Sequence, residues 1–413
     1  MRLKGVHRAA VAVVPLLGLV ACQSGGGASG TAEPAAESVY DKKLADQLRA
    51  SRKATEESGS ARFTLTLTYR TKHGTAEDRT TGAQDYGKKT ADAVRTVTVP
   101  REVSQETAAL LGGRPGDRVQ QTFEVTGNTV AYRTERGGWL RYTSSGSLAF
   151  TEKAGAVLSR SGDRVPYGGT LADVVAGADD PKKQPAVDQD GNRRYEVVAA
   201  ARRAAEVFPG DLGVSVLTGK GQSGAIPLTI RLDKEGRLTE ATADYAPVLS
   251  ALHKDGVLKD VTELRAAYTL TDFGKAAPQQ TASAAAGTVD AEKALTPLHD
   301  VKPGTCASQD TGLGSASLVR VIGCAGRFDL RVFGQVTVDK TTKAELTYED
   351  GYTEARNKCR SAFGKAPSAW TAKAEPRDTF LIDGDPNLSM SYSPGGDNRI
   401  SGDFTCYVTT ARS

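Results

Sequence analysis

Long stretches of the chain alternate apolar and polar residues with a period of two, and shorter stretches repeat their apolar positions at helical spacing. The segment "SVYDKKLADQLRASRKATEESG" sets Tyr40, Leu44, Leu48 and Ser51 at helical intervals, with Gly59 as a stop. It predicts a helix. Next, "SARFTLTLTYRT" puts Phe63, Leu65, Leu67 and Tyr69 on one face and Thr64, Thr66 and Thr68 on the other, the signature of a half-buried strand. The same period continues in "QQTFEVTGNTVAYRTERGGWLRYT". There Gly127-Asn128 supplies turn chemistry, and Gly137-Gly138 turns into a further strand with Trp139, giving an antiparallel meander. "GTLADVVAGADD" reads as a short helix, and "GNRRYEVVAA" as a strand entered through the turn Asp188 to Gly191. "IPLTIRLDKEGRLTEATADYA" is a hairpin in which Ile226, Leu228, Ile230 and Leu232 alternate, and "LRAAYTLTDFG" is one more strand.

A second set of elements follows. "SLVRVIGCAG" ends an apolar strand at Cys324, and "RFDLRVFGQVTV" alternates Phe328, Leu330 and Val332. "KAELTYEDGYTEARNKCRSAFG" runs at helical spacing through Tyr348, Tyr352, Ala355 and Cys359 to Gly364, and a last hairpin carries Cys406. Two breaks in composition separate these sets from each other and from the start of the chain. The first is a Gly/Ser/Ala/Pro stretch after Cys22, and the second is "KAAPQQTASAAAGTVDAEKA", Lys275 to Ala294, which is poor in large apolar residues. The expected organisation is a leader over 1–21, a tether over 22–38, a sheet-plus-helix domain over 39–274, a linker over 275–298 and a smaller domain over 299–413. The expected fold class is α+β throughout.

The chain opens with Arg2, Lys4 and Arg8, then an apolar run from Ala9 to Ala21 broken by Pro15 and Gly18, which is too short to span a bilayer as a helix. The run closes in Leu19-Val20-Ala21-Cys22, which resembles a bacterial lipobox, so Cys22 is the expected lipidation site. An ordinary signal peptide that happens to contain a cysteine is the plainer reading. Two acyl chains hold a domain on a membrane where one holds it only marginally. The expected location is therefore the outer face of the cell membrane, through a diacylglyceryl anchor. The formal charge of +4 includes the three basic residues of the leader, so the remainder is close to neutral. Its charges are interspersed, which excludes nucleic acid as a partner.

With Cys22 set aside, Cys306, Cys324, Cys359 and Cys406 are an even set confined to the last part of an exported chain, which points to two disulfides. Three pairings are open. Neighbouring strands favour Cys306 with Cys324, leaving a helix stapled to the last strand by Cys359 and Cys406. A zinc site is the rival, but the sequence holds no C-x-x-C and His299 stands alone near these cysteines.

The order of helix, "W-L-R-Y" strand and late "IPLTIRLDKEGRLTEATADY" hairpin, behind a lipobox and tether, resembles the LppX/LprAFG-type lipoproteins of Gram-positive envelopes, over roughly Tyr40 to Gly274. These are related in fold to the LolA-like half-barrels. The resemblance implies a strongly curved antiparallel sheet packed with helices around an apolar cavity for acyl chains, hence a lipid or glycolipid ligand. Candidate lining residues are Phe63, Leu65, Leu67, Phe123, Tyr132, Leu140, Tyr142, Leu228 and Ile230, with Val125, Val130 and Leu232 on the same face. The same residues would serve equally as plain core. The last part of the chain resembles the septum-formation-related domain, through Gly304-Thr305-Cys306, Val321 to Cys324, Tyr352 to Cys359, and Phe404-Thr405-Cys406-Tyr407-Val408. It departs from that pattern at Ala325-Gly326, where Pro-His is frequent in the family.

Catalytic and metal readings find little support. His73, His253 and His299 sit in separate segments without a partner nucleophile, and "GQSGA" around Ser223 lacks nucleophile-elbow spacing. Asp188 to Gly191 lacks the glycine and glutamate positions of a calcium loop, and Asp383, Asp385 and Asp397 are the residual candidates for a weak calcium site. No cofactor or catalytic set is expected. The leading functional expectation is a non-enzymatic, lipid-anchored envelope lipoprotein that carries an acylated molecule. The alternatives are an interaction protein that presents the stapled domain to a cell-wall or division partner, and an unrecognised hydrolase.

Overall fold

In the computed structural model, the alternating segments fold as the strands of two sheets, and the segments at helical spacing fold as helices laid on them. The structure describes residues 38–413 apart from 112, 135–137, 144–169, 205–206, 209–211, 213–223, 282–286, 310–317, 375–378, 385–387, 393–395 and 411–413. The leader, Cys22, the tether before Ser38, Ser223 and Asp385 thus lie outside the described residues. Within them the chain is a mixed α+β protein dominated by strands.

After a 3-10 turn (Val39–Asp41), helix α1 (Leu44–Glu57) leads into β1 (Ser60–Thr71), β2 (Gly74–Asp85) and β3 (Thr90–Thr98). Helix α2 (Gln105–Leu110) precedes β4 (Arg118–Thr126), β5 (Thr129–Thr134) and β6 (Leu140–Thr143). Helix α3 (Thr170–Ala176), β7 (Ala186–Val187), β8 (Arg193–Ala200) and α4 (Ala201–Ala204) come next. Strands β9 (Ala225–Leu232) and β10 (Leu238–Asp244), α5 (Ala246–Lys254) and β11 (Val261–Thr271) follow. With β12 (Val289–Asp290) these strands form one twelve-stranded sheet in the order β12-β6-β5-β4-β3-β2-β1-β11-β10-β9-β8-β7.

Every pairing in that sheet is antiparallel except β12 beside β6. Opposed residues in an antiparallel ladder share a face, so the register fixes which side chains lie together. Phe63 stands opposite Leu270 and Gly82, and Leu65 opposite Tyr268 and Thr80. Phe123 stands opposite Tyr132 and Ala93, and Ile230 opposite Tyr195 and Ala241. This inner face holds the main core, while the outer face carries Arg62, Thr64, Thr66, Thr68 and Arg70. Such one-sided burial is the usual state of an antiparallel sheet covered on one side.

The 3-10 turn seats the start of the described chain on the β9–β10 hairpin. Val39 is buried, the Tyr40 hydroxyl donates to the Asp233 carbonyl, and the Arg193 guanidinium lies 3.7 Å from the centre of the Tyr40 ring. Gly236 makes this possible. It has φ +80°, and a Cβ there would stand 2.5 Å from the Val39 Cβ. Gly236→Ala therefore combines left-handed strain with loss of the Val39 seat, and is expected to lower stability by about 1–3 kcal/mol in urea unfolding.

Asp260, just before β11, holds the start of α2. It accepts from the Ser104 amide at 3.0 Å and from the Thr107 hydroxyl. Burial pushes its carboxyl up, but these hydrogen bonds outweigh that and hold it below the ordinary range. A lowered carboxyl stabilises the fold above about pH 4, where the unfolded group is ionised, and that contribution is lost as pH falls through the folded value. The stability gap between the wild type and Asp260→Asn should therefore be present at pH 6 and shrink on acidification towards pH 2, as urea midpoints would record.

The remaining elements are α6 (Ala291–Ala294), β13 (Thr296–Pro297), a 3-10 turn (Leu298–Asp300), β14 (Cys306–Ser308), β15 (Leu318–Ile322) and β16 (Leu330–Thr342). Then come α7 (Tyr348–Lys365), α8 (Ser368–Thr371), β17 (Leu381–Gly384), β18 (Ser389–Ser391) and β19 (Asn398–Thr409). They build a seven-stranded sheet in the order β13-β15-β14-β16-β19-β17, with β18 also paired to β19. Helix α7 starts in a capping box, in which the Asp350 amide donates to the Thr347 hydroxyl and the Thr347 amide to the Asp350 carboxylate. The structure joins Cys306 to Cys324, with Cα atoms 5.2 Å apart, and Cys359 of α7 to Cys406 of β19, with Cα atoms 5.6 Å apart.

The segment read as a linker lies against the large sheet. Gln280 Nε2 donates to the Ala91 carbonyl at 3.1 Å, the Thr281 amide donates to Glu124 at 2.8 Å, and Val289 pairs with Leu140. Arg141 and Asp290 pair at 2.8 Å, and Leu295 and Leu318 join the main core. Gln280 and Thr281 are hydrogen-bonding contacts of this stretch with the sheet.

Candidate functional site

The side chains proposed to line a cavity share the inner face, and they are packed there. Phe63, Leu67, Phe123, Tyr132, Leu140, Tyr142, Leu228 and Ile230 are buried members of the main core, as are Val125, Val130 and Leu232, and Leu65 is half-buried against them. The Phe123 and Tyr132 rings, for example, stand with centroids 5.3 Å apart.

Open space lies elsewhere on that face, under the roof formed by α1 and α3. A cleft of about 20 Å³ is bounded by Ser51, Arg52, Thr55 and Glu56 of α1, by Asp173 of α3, and by Gln84, Tyr86, Leu238, Tyr268 and Leu270 of the sheet side. Its existence follows from the composition of α1. The buried positions of that helix are Gln47, Leu48, Ser51 and Thr55, of which only Leu48 is a large apolar side chain. Ser51 and Thr55 turn their hydroxyls back onto the Leu48 and Ser51 carbonyls, at 2.8 and 2.7 Å, and are too short to fill the space below.

Polar contacts hold the roof in place. The Leu238 amide donates to Thr55 Oγ1 at 2.9 Å, and the Tyr195 hydroxyl donates to Gln47 Oε1 at 2.6 Å. Arg52 pairs with Glu56 at 3.0 Å within α1 and also with Asp173 of α3, so one guanidinium ties the two helices together.

Two buried polar atoms in the cleft, Gln84 Oε1 and the Tyr268 hydroxyl, lack a well-formed hydrogen bond among the described residues, and the Gln84 and Tyr268 side chains interact with each other. Both side chains are only 1% exposed. Gln84 Nε2 is occupied, donating to the Tyr86 hydroxyl at 2.9 Å. Burial pushes the Tyr268 and Tyr86 hydroxyls well above their ordinary ionisation range, so both stay neutral. A buried polar group left unmet costs about 1–3 kcal/mol.

A second polar cluster interrupts the apolar face one strand further on. Arg95 grips Asp78 through both carboxylate oxygens, at 2.8 and 2.7 Å, and donates to Gln121 Oε1 at 3.0 Å. The pair is buried, with side chains 13% and 6% exposed. The buried Tyr69 hydroxyl has no partner among the described residues, and its ionisation is pushed up by burial and then by the charge of Asp78.

None of the residues at the cleft was a sequence candidate. Gln84 and Tyr268 fall on the inner face only once β2 and β11 are known to flank β1. The histidines are not gathered: His73 is exposed in the β1–β2 turn, His253 Nε2 lies 3.0 Å from the Leu258 carbonyl, and His299 lies 3.7 Å from Asp300. The Asp188 side chain closes the β7–β8 turn, accepting from the Asp190 and Asn192 amides and from Arg231. Among the described residues, no group of three or more His, Cys, Asp or Glu side chains could hold a metal ion, and no helix is long and apolar enough to cross a membrane.

Fold and cleft together define a strand-rich α+β protein with a polar notch under its roof helices. No family model matches the chain, and no curated protein matches it. Among solved structures it is similar to the lipoprotein LppX of Mycobacterium tuberculosis, at 14% identity over 57% of this chain and 98% of that one, with a TM-score of 0.29.

Proposed function

We propose that the chain is a non-enzymatic, lipid-anchored envelope lipoprotein whose larger sheet curves as a half-barrel and receives an acylated molecule between its inner face and the roof helices. The observation that carries this reading is a mismatch between floor and roof. The floor is a largely apolar sheet face, whereas α1 lies over it with Gln47, Ser51 and Thr55 turned inward. Of the buried positions of α1 only Leu48 is a large apolar side chain, so a lipid entering beneath the helix offsets the loss of that contact with apolar burial worth about 0.8 kcal/mol per methylene.

Native mass spectrometry of the full chain, purified from membranes and stripped of detergent, is expected to show a co-purified acylated molecule in addition to the anchor. Ala172 of α3 also lines the cleft, and Ala172→Trp, which places an indole there, should reduce that occupancy at least tenfold. A chain that carries no lipid beyond its anchor would overturn the reading.

One observation favours a second reading, in which residues 299–413 act as a septum-formation-like domain that presents a surface to a cell-wall or division partner. Four of the six large apolar side chains exposed among the described residues lie there: Val321, Tyr348, Leu381 and Tyr392. If so, Tyr348→Ser with Tyr392→Ser in the full chain should abolish capture of an envelope protein by crosslinking in intact cells while leaving lipid occupancy unchanged.

A further inference from the structure

The two disulfides of the smaller sheet differ in access. Cys359 and Cys406 are both fully buried, in a cluster with Phe333 and Val408. In the other crosslink only Cys306 is fully buried, while Cys324 is half-buried in a turn whose neighbours Gly323, Ala325, Gly326 and Arg327 are exposed. A Cβ added at Gly323 or at Gly326 would meet nothing within 4 Å, so the space around the turn is open. An incoming group can therefore approach Cys324 without unfolding the sheet.

Arg331 stands at the same crosslink. It lies directly across the β14–β16 ladder from Cys306, so the two side chains leave the sheet on one face. Its Nε donates to the Gly304 carbonyl at 3.2 Å, and that carbonyl oxygen lies 3.5 Å from Cys324 Sγ. The guanidinium is held there by a second bond, from Nη1 to the Ala369 carbonyl at 2.9 Å, and by the Trp370 ring, whose centre is 5.4 Å away. Burial alone makes a sulfur a poor leaving group, because a buried thiolate loses its hydration, and a neighbouring guanidinium offsets that loss.

We propose that the Cys306–Cys324 pair is a thiol–disulfide exchange site, with Cys324 as the sulfur attacked, Cys306 as the leaving group and Arg331 as the positioning residue that favours its departure. The partner is a dithiol. Its first thiolate bonds to Cys324 Sγ as the bond to Cys306 breaks, and the electron pair leaves on Cys306 as a thiolate. Its second thiolate then attacks the partner's own sulfur in the mixed disulfide and releases Cys324 as a thiolate. The partner is thereby oxidised to a disulfide, and two electrons pass to the cysteine pair. The exposed Arg327 adds positive charge to the turn, which favours approach of a thiolate. The site goes beyond the carrier reading and does not depend on it.

The test uses the full chain, folded and without denaturant. Under dithiothreitol, with acid quenching, N-ethylmaleimide labelling and peptide mass spectrometry, Cys306 and Cys324 should become labelled about a hundredfold faster than Cys359 and Cys406. With glutathione, the mixed disulfide should form on Cys324 and leave Cys306 to take the maleimide. Arg331→Met should slow opening by dithiothreitol about fivefold, and Arg331→Lys should restore most of the rate. A role in packing alone gives the reverse, because loss of the bonds to Gly304 and Ala369 loosens the turn and speeds opening. Equal rates for the two disulfides, glutathione on Cys306, or an Arg331→Met variant that opens as fast as the wild type or faster would overturn the proposal.

Discussion

Asp78→Ala should lower the folding stability of the chain by about 3–5 kcal/mol, the usual consequence of removing one partner from a buried ion pair. Both Arg95 hydrogen bonds to Asp78, at 2.8 and 2.7 Å, disappear in this variant, while the guanidinium stays on the inner face of the sheet with a side chain only 13% exposed. The loss is that of a largely buried charge deprived of its carboxylate, so it should be recovered when the charge is removed too. Asp78→Leu combined with Arg95→Met, which restores apolar volume at both positions, is expected to return most of the stability. Urea midpoints of the two variants and the wild type measure this directly. A loss below about 1 kcal/mol in Asp78→Ala would show that water reaches the guanidinium from above the sheet.

The second large effect concerns the link between α7 and β19. Replacing Cys359 and Cys406 by alanine releases a crosslink between positions 47 residues apart, and on the loop-entropy account this costs about 4 kcal/mol. The corresponding change at Cys306 and Cys324, 18 residues apart, should cost about 3 kcal/mol. The longer loop is not the only reason for the difference. Cys359 and Cys406 also sit in a buried cluster with Phe333 and Val408, over which Phe363, Trp370 and Phe380 pack. Thermal unfolding of the two double variants should therefore rank the Cys359 and Cys406 pair as the more damaging loss. Equal midpoints would mean that cluster packing, and not the crosslink, holds α7 on its sheet.

Some of this architecture was legible in the pattern of residues. The helix from Leu44, the strand from Ser60 and the hairpin of β9 and β10 were readable because each carries large apolar residues at a clean period. Strand β2 was not. Its inner-face residues are Ala76, Asp78, Thr80, Gly82 and Gln84, which no periodicity of large apolar groups betrays. It is a strand because β1 and β3 pair with it over its length, so tertiary pairing overrides its weak propensity. Gly82 shows how tight the fit is, since a Cβ there would stand 1.9 Å from the Asp92 carbonyl oxygen.

The cleft was illegible for the same reason. Gln84 belongs to the strand that pattern reading misses, and Tyr268 looks like any other apolar-face tyrosine until the register sets it opposite Leu65. The apolar positions proposed as lining share the inner face, but periodicity records only the side on which a residue lies. Whether the space above it is filled depends on the roof, and the short side chains of Ser51 and Thr55 that leave the gap read in sequence as ordinary polar helix positions.

The pairing of β1 with β11 also bears on the order in which the protein can be made. Arg62 and Thr271 are partners in that ladder, so the central strand of the large sheet waits for a segment that leaves the ribosome, or any export channel, some two hundred residues later. Until then β1 to β6 can zip only on one side, and the apolar edge next to Leu65 and Leu67 is open to other chains. Nascent molecules therefore pass through a stage at which they invite capture by a holding chaperone, and crowding would be most hazardous in that interval.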